Sequence, residues 1–485
     1  MSTVHRWRAF AVLAVAFFMT TVDLTIVNVA LPTIGKALHF SETNLQWVVT
    51  AYGLTFGGFL LLGGRAADLL GRRRILMLGL VVFTASSLGA ALASSDTFLI
   101  AMRGVQGLGA AIVLPAAQSI VMNMFTEGAE RNKALGLWGA IGATGGTLGL
   151  ITGGVLTRYA GWEYIFFLNV PVGIAVLILA PRVVPESRLV GVRRRFDPLG
   201  AVTVTGGLLL LVYALSKAPQ AGWAGTSTLT LLGGAVALLI AFVVIETRVE
   251  APLMPLRIFS SRTLAGANIA GLLMGAGFFG FIFIGTLYMQ QVLGYSALQT
   301  GAAWMVASMF SMLLSAPVQK LVTRFSAGPV LMVGMAMVGG GILWSTAQPV
   351  HAHFWVNLAA PWILVGAGTA FAFIPISIAA LQGISEHEAG LASGLMNTSN
   401  QMGGAIGVAI ASTASATQIK ALTAQGKATD VALTGGFHAA FWMCGLIALA
   451  AVATTALLVR RPATTKAAPQ PVIPAHVRVP ALDAA

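Results

Sequence analysis

The stretch Leu61-Leu-Gly-Gly64-Arg-Ala-Ala-Asp68-Leu-Leu-Gly71-Arg72-Arg73-Arg74-Ile-Leu76 decides how this chain is read. It is a short basic turn between two apolar runs, each long enough to cross a bilayer. The glycines let two helix ends approach closely, and the arginines hold the turn on the cytoplasmic side. Asp68 can pair with an arginine or a helix N-terminus. A carboxylate in a loop of arginines is more than a topology signal. Gly64, Asp68, Gly71, Arg72 and Arg73 are therefore expected to form a cytoplasmic gate, with Asp68 facing the N-terminal end of the run that starts near Ala389.

Composition extends this reading to the whole chain. Hydrophobic residues make up 57% and charged residues 9% of its 485 positions, with a mean hydropathy of +0.86. Soluble domains carry about 25% charged residues, so the solvent for this surface is lipid. The net charge of +13 lies in short segments between apolar runs rather than in one basic face, which argues against a nucleic-acid partner. Cys444 lies within an apolar run and has no partner for an intrachain disulfide.

Apolar runs of about 20 residues, the length needed to span a bilayer, fall near 9–31, 46–66, 73–93, 98–124, 133–156, 163–184, 198–216, 226–246, 264–290, 298–318, 328–347, 354–381, 389–416 and 437–459. The first follows Arg6 and Arg8 but lacks a small-residue cleavage site, and reads as a retained helix rather than a signal peptide. With the N-terminus inside, Arg72–Arg74, Arg131, Lys133, Arg182, Arg188, Arg193–Arg195, Arg248, Arg257, Arg262, Lys320, Arg324, Arg460, Arg461, Lys466 and Arg478 join Arg6 and Arg8 on the cytoplasmic side. Only Lys36, Arg158, Lys217, Lys420 and Lys427 fall outside. That bias predicts an inner (plasma) membrane protein of fourteen helices with both termini cytoplasmic.

The segment Gly136-Leu137 through Gly145-Gly146 to Gly149 aligns without gaps on Gly394-Leu395 through Gly403-Gly404 to Gly407, and Leu76-Met-Leu-Gly79 echoes Leu331-Met-Val-Gly334. The repeat divides the chain into an N-terminal six-helix bundle (1–186), an insert of a basic loop and two helices (187–262), a C-terminal six-helix bundle (263–460) and a Pro/Ala-rich tail (461–485) expected to be disordered. The insert opens on Arg193-Arg194-Arg195 and closes on the proline-containing stretch 251–255.

Asp23 is the acidic residue set deep within a run, in Thr20-Thr-Val-Asp23-Leu-Thr25-Ile-Val-Asn28-Val-Ala-Leu-Pro32. A carboxylate at that depth costs at least about 2.5 kcal/mol, which makes it a functional residue by default. Burial disfavours its charged form and a nearby cation favours it, so it can switch between the two; the alternative is a fixed neutraliser of some partner. Arg103, in Arg103-Gly-Val-Gln106-Gly107, lies at a similar depth by a rise of about 1.5 Å per residue and is the expected partner. Asn28, Gln106, Tyr288, Gln290, Gln291, Trp304, Asn397 and Gln401 are polar or aromatic residues within runs, and suggest a substrate cavity suited to bulky amphipathic molecules. No Gly-x-x-x-x-Gly-Lys-Ser/Thr loop, metal-ligand cluster or nucleophile–base pair is apparent. An enzyme is not expected, nor a cofactor; a proton gradient is the expected energy source.

The loop at 64–76, Asp23-x-Thr25-x-x-Asn28-Val-Ala-Leu-Pro32 and the Arg103 segment together resemble the major facilitator superfamily, and within it the fourteen-helix drug:proton antiporter branch of multidrug and quaternary-ammonium efflux type. Asn169-Val-Pro171-Val-Gly173, Leu287-Tyr-Met-Gln-Gln-Val-Leu-Gly-Tyr295 and Gly390-Leu-Ala-Ser-Gly394 are also similar. Gly145, Gly149, Gly153 and Gly154 resemble the motif that marks antiporters, except that Leu150 stands where that motif has proline. The resemblance implies an all-α polytopic membrane protein with two six-helix bundles and two extra central helices. It also implies rocker-like alternating access, in which proton entry at Asp23 and Arg103 drives export of lipophilic molecules. A dedicated exporter of one metabolite or antibiotic on the same scaffold is the alternative reading; a non-transporting sensor fits the intact motifs least. A monomer is the expected working unit, and the sequence does not specify a periplasmic adaptor.

Overall fold

A computed structural model describes residues 3–125, 129–187, 197–250, 252–253, 261–381 and 386–458. The expected basic loop at 188–196, with Arg188 and Arg193–Arg195, lies outside the described residues, as do Pro255, Arg257, Arg460, Arg461 and the tail at 461–485 with Lys466 and Arg478. The described elements are helical throughout. The N-terminal half holds α1 (Thr3–Ala37), α2 (Glu42–Leu45), α3 (Trp47–Leu70), α4 (Arg72–Ala91), α5 (Asp96–Met124), α6 (Ala129–Tyr159), α7 (Tyr164–Phe167) and α8 (Asn169–Val183). The insert holds α9 (Pro198–Ala221) and α10 (Thr226–Arg248). The C-terminal half holds α11 (Arg262–Leu287), α12 (Ala297–Phe325), α13 (Ala327–Trp344), α14 (Ala359–Leu381), α15 (Glu386–Ala424) and α16 (Thr429–Leu458).

Local chemistry places the helix starts. Ser95 accepts the Phe98 amide at 3.3 Å to begin α5, and Asp197 accepts the Gly200 amide at 2.7 Å ahead of Pro198. Ser296 and Gln299 form a reciprocal capping box on α12. Each apolar run expected to cross the membrane falls on one of these helices, with α7 and α8 sharing the sixth. Twelve helices among the described residues are long and apolar enough to cross a membrane. The glycine-rich α6 and α15, of 31 and 39 residues, are long enough but are not among those twelve. Each is packed against helices of both halves, where small residues serve interhelical contact instead of contact with lipid.

Successive long helices alternate in direction, so the starts of α1 and α6 and the end of α16 share one face, here called the terminal face. Ion pairing of Arg6 with Glu130 at 3.2 Å ties α1 to α6 there. The packing follows the internal repeat. Gly149 and Gly153 of α6 press on the backbone of α1 at Val22 and Ile26, and Gly403 and Gly407 of α15 press on α11 at Leu272 and Ala276. By this register Gly277 occupies the place in the second half that Asp23 holds in the first.

The halves meet through α6 against α12 and α15 against α3. At the face opposite the termini, Gly154 lies on the backbone of Ala297 and Leu298, and Gly301 on the carbonyl of Leu150. Gln290, just beyond α11, donates to the Val29 carbonyl of α1 at 2.8 Å, joining the halves there. The insert lies over this seam: Leu54 of α3, Leu208 and Val212 of α9, and Ala405 and Ala409 of α15 form a separate apolar cluster.

Candidate functional site

Asp23 is fully buried, and helices of the N-terminal half converge on it. Arg103 of α5, 1% exposed, donates through Nη1 to Asp23 Oδ2 at 2.7 Å. The same nitrogen reaches Gln106 Oε1 at 2.6 Å, and Nε donates to the Val48 carbonyl of α3 at 3.0 Å. The guanidinium lies over the Tyr52 ring at 4.3 Å and near Phe166 at 5.6 Å. The other carboxylate oxygen, Oδ1, accepts from Gln106 Nε2 at 2.8 Å and from Asn169 Nδ2 at 2.7 Å. Ser87 Oγ of α4 accepts from both amides, at 2.6 and 3.0 Å. A buried ion pair persists only when its remaining hydrogen-bonding capacity is filled, and here the neighbouring amides and carbonyl do so.

The expected pairing of Asp23 with Arg103 is present. Gln106, expected in the cavity, is buried with both ends of its amide bonded within this cluster. Ser87, Tyr52 and Asn169 were not singled out as chemistry from the sequence; Asn169 appeared there only within a matching segment. Hydroxyls and amides in apolar helices carry no signal of their own until the fold shows them facing a charge.

The glycines of α6 shape the carboxylate's surroundings. A Cβ at Gly149 would lie 2.7 Å from the Val22 carbonyl, and one at Gly153 would lie 2.5 Å from the Ile26 carbonyl. Gly145 faces Thr21 and Phe18. These three glycines therefore set α1 against α6 on either side of Asp23, and Gly154 carries the same helix onto α12. Leu150 keeps its amide, and α6 runs unbroken from Ala129 to Tyr159.

At the terminal face, Asp68 accepts from Arg72 Nε at 2.7 Å, and Arg72 is itself buried. The partner shown for Asp68 is Arg72, at the start of the next helix of its own half; the expected contact with the start of α15 falls where side chains lie outside the described residues. Gly71, at φ +116°, makes the corner that this pairing needs. Glu186, just after α8, accepts the Arg73 amide at 3.1 Å and lies 3.8 Å from both the Arg73 and Arg74 side chains. Arg73 Nη1 also reaches the Val184 carbonyl at 3.1 Å. The loop is latched onto the end of α8, and sequence reading missed Glu186 because it lies outside every run. Gly64 packs on Pro115 of α5.

The remaining cavity candidates are scattered. Asn28 bonds back to the Leu24 and Thr25 carbonyls at 3.3 Å. Tyr288 is buried and donates to the Pro349 carbonyl at 2.7 Å. Trp304 donates to Thr286 at 3.0 Å and stacks on Trp362 at 4.2 Å, within the core of the second half. Gln291 borders a small hollow with Leu45, Ser412, Ser415 and Phe437. Gln401 is 8% exposed and sits on Gly53 and Gly57 of α3, so it faces the seam between halves with Asn397 one turn before it. A wider apolar groove of about 290 Å³ lies between α9, α15 and α16, lined by Leu215, Trp223, Ile410 and Met443 among others, and none of the expected cavity residues lines it.

The sequence profile of the Major Facilitator Superfamily matches residues 13–408. The chain is 38% identical to the cephamycin export protein CmcT of Amycolatopsis lactamdurans over 406 residues, covering 83% of each chain. It is 35% identical to a puromycin resistance protein of Streptomyces alboniger, over 94% of this chain and 90% of that one. It is also 35% identical to the multidrug resistance protein Stp of Mycobacterium tuberculosis, over 81% of this chain and 73% of that one. Among solved structures, the POT family transporter PepTSo matches with a TM-score of 0.68 at 15% identity, over 95% of this chain and 98% of that one, which shows the shared fold. With a transporter profile over most of its length, export and resistance proteins as relatives and helices built to cross lipid, this multi-pass membrane protein is not an enzyme but a member of the Major Facilitator Superfamily.

Proposed function

We propose that the chain is a proton-coupled efflux transporter of lipophilic and amphipathic molecules, antibiotics among them, working by alternating access. The observation that carries the reading is the buried Asp23–Arg103 pair at 2.7 Å. A carboxylate in that position can take a proton from one side and return it to the other. The packing of α6 on α1 beside it, at Val22 and Ile26, gives the charge change a route to the seam with α12. The outward movement of substrate would then follow rocking of the halves, with the Asp68–Arg72 and Glu186–Arg73 contacts holding the terminal face.

We place the protein in the inner (plasma) membrane with both termini cytoplasmic, as the lysine and arginine distribution supports, working as a fourteen-helix monomer. Broad specificity is favoured by the mainly apolar helices. The second reading, a dedicated exporter, is favoured by relatives named for cephamycin, puromycin and tetracenomycin C.

The test is substrate-induced proton release from everted membrane vesicles holding native protein or Asp23→Asn, challenged with puromycin, a cephamycin and ethidium. Collapse of an imposed pH gradient by several of these, only with Asp23 present, is the expected result. Response to one compound alone supports the dedicated exporter, and an unchanged response in a folded Asp23→Asn protein removes Asp23 from the coupling step.

A further inference from the structure

We infer that Asn169 is a positioning residue for the proton carrier: it holds Asp23 as the carboxylate and is drawn away when the proton binds. The inference rests on the proton-coupled reading above. Its starting point is a mismatch between the donors around Asp23 and what a protonated carboxyl requires. Arg103, Gln106 and Asn169 all donate to Asp23, at 2.7, 2.8 and 2.7 Å. Three donors suit an anion, which is acceptor-only. A neutral carboxyl has an O–H of its own that needs an acceptor, and its oxygens are weaker acceptors than those of a carboxylate. Donors held in place favour the charged form, so loading a proton from water on one side, and returning it on the other, is favoured when at least one donor moves.

Arg103 and Gln106 stand one helical turn apart on α5 and are joined at 2.6 Å, so they move together. If α5 alone shifted, Asn169 would still donate to Oδ1 and favour the charged form. Asn169 belongs to a different helix and to its weakest turn. It is the first residue of α8, directly after the junction at Leu168. Pro171 has no amide hydrogen, so the Phe167 carbonyl four residues earlier lacks its helical donor, and the turn carrying Asn169 can bend. Gly173, just beyond, packs tightly on α4, where an added Cβ would lie 3.1 Å from Thr84 Cβ. That contact is a pivot for the bend. Ser87 Oγ on the same α4 accepts from the Asn169 amide at 3.0 Å and can receive that donor when it leaves the carboxylate.

The other groups facing Asp23 do not duplicate this role. Its ionisable neighbours among the described contacts are Arg103 of α5 and Tyr52 of α3; α6 presents glycines. One hydrogen bond to a charged group corresponds to about a tenfold bias or more between two states, enough to separate coupled from uncoupled cycles.

The experiment uses the full chain reconstituted in liposomes with puromycin as the probe. Protons released per puromycin transported are measured with a pH dye, alongside counterflow of labelled puromycin in the absence of a gradient. Asn169→Leu is expected to lower the proton-to-puromycin ratio about tenfold, and Asn169→Ser, which retains a short donor, to fall between it and native. An unchanged ratio in Asn169→Leu overturns the inference. So does a loss of proton release and counterflow in the same proportion, the mark of a merely structural residue. A native protein that exchanges puromycin but moves no proton sinks the proton-coupled reading itself, an outcome distinct from a native ratio kept by the variant.

Discussion

Removing Arg103 while keeping its bulk tests whether the buried pair is one energetic unit. Arg103→Met retains an apolar stem between Tyr52 and Phe166 but deletes the bonds to Asp23, Gln106 and the Val48 carbonyl. Asp23 is then a fully buried carboxylate held by two amides with no countercharge. Breaking a buried pair from one side costs about 3–5 kcal/mol, and the complete burial of both partners places this variant near the middle, at about 4 kcal/mol. Asp23→Asn leaves Arg103 two of its acceptors, the Val48 carbonyl and Gln106, so its cost is lower, about 2 kcal/mol for a lost charge-assisted bond. The double variant leaves no charge buried, and its expected cost is about 3 kcal/mol, which is about 3 kcal/mol less than the sum of the singles. The assay is unfolding in mixed detergent–SDS micelles for the native protein, both singles and the double. Additivity to within about 0.5 kcal/mol would mean that the two side chains do not depend on each other, and the reading of Asp23 as a charge held by Arg103 would be wrong.

Two other perturbations address how the site communicates with the rest of the molecule. In Gly149→Val the new Cβ falls 2.7 Å from the Val22 carbonyl, so α6 is pushed off α1 at a cost of about 1–3 kcal/mol. Counterflow in liposomes of a compound that proves active in the vesicle assay is expected to drop at least about tenfold, since a strain of 1.4 kcal/mol already corresponds to tenfold, while native-like counterflow would remove the glycine contact from the mechanism. Gln290→Ala removes the 2.8 Å bond to the Val29 carbonyl across the halves, worth about 0.5–1.5 kcal/mol. A cysteine placed at Gln291 should then react about three- to tenfold faster with a membrane-impermeant maleimide; Cys444 is fully buried and contributes little background. An unchanged labelling rate would show that this bond does not hold the face closed.

The cause of each success and omission in the sequence reading can be traced. Long apolar runs, basic turns and an isolated intramembrane carboxylate are legible because lipid imposes one constraint on every residue it touches. The expected Asp23–Arg103 pairing followed from depth alone, since two opposite charges at similar levels in a bilayer have few other partners. The bonds of Gln106 to Asp23 and Arg103 were not legible, because an amide or ring within an apolar run looks the same whether it faces a ligand or another side chain. The same holds for Tyr288 and Trp304, whose polar atoms bond to Pro349 and Thr286. Asp68 pairs with Arg72 four residues on, while its expected contact with α15 falls on side chains outside the described residues.

What the sequence determined by itself was the all-helical membrane fold, the repeat, the pair of opposite charges and the family resemblance. Each of these depends on the order of residues along one helix or on its period. The tertiary structure alone decided that Asn169, Ser87 and Tyr52 join Asp23, that the glycines of α6 press on α1 beside it, and that Glu186 latches the basic turn. Those facts depend on which faces of separate helices meet. A stripe of small or polar residues in an apolar helix does not state its partner; packing chooses it.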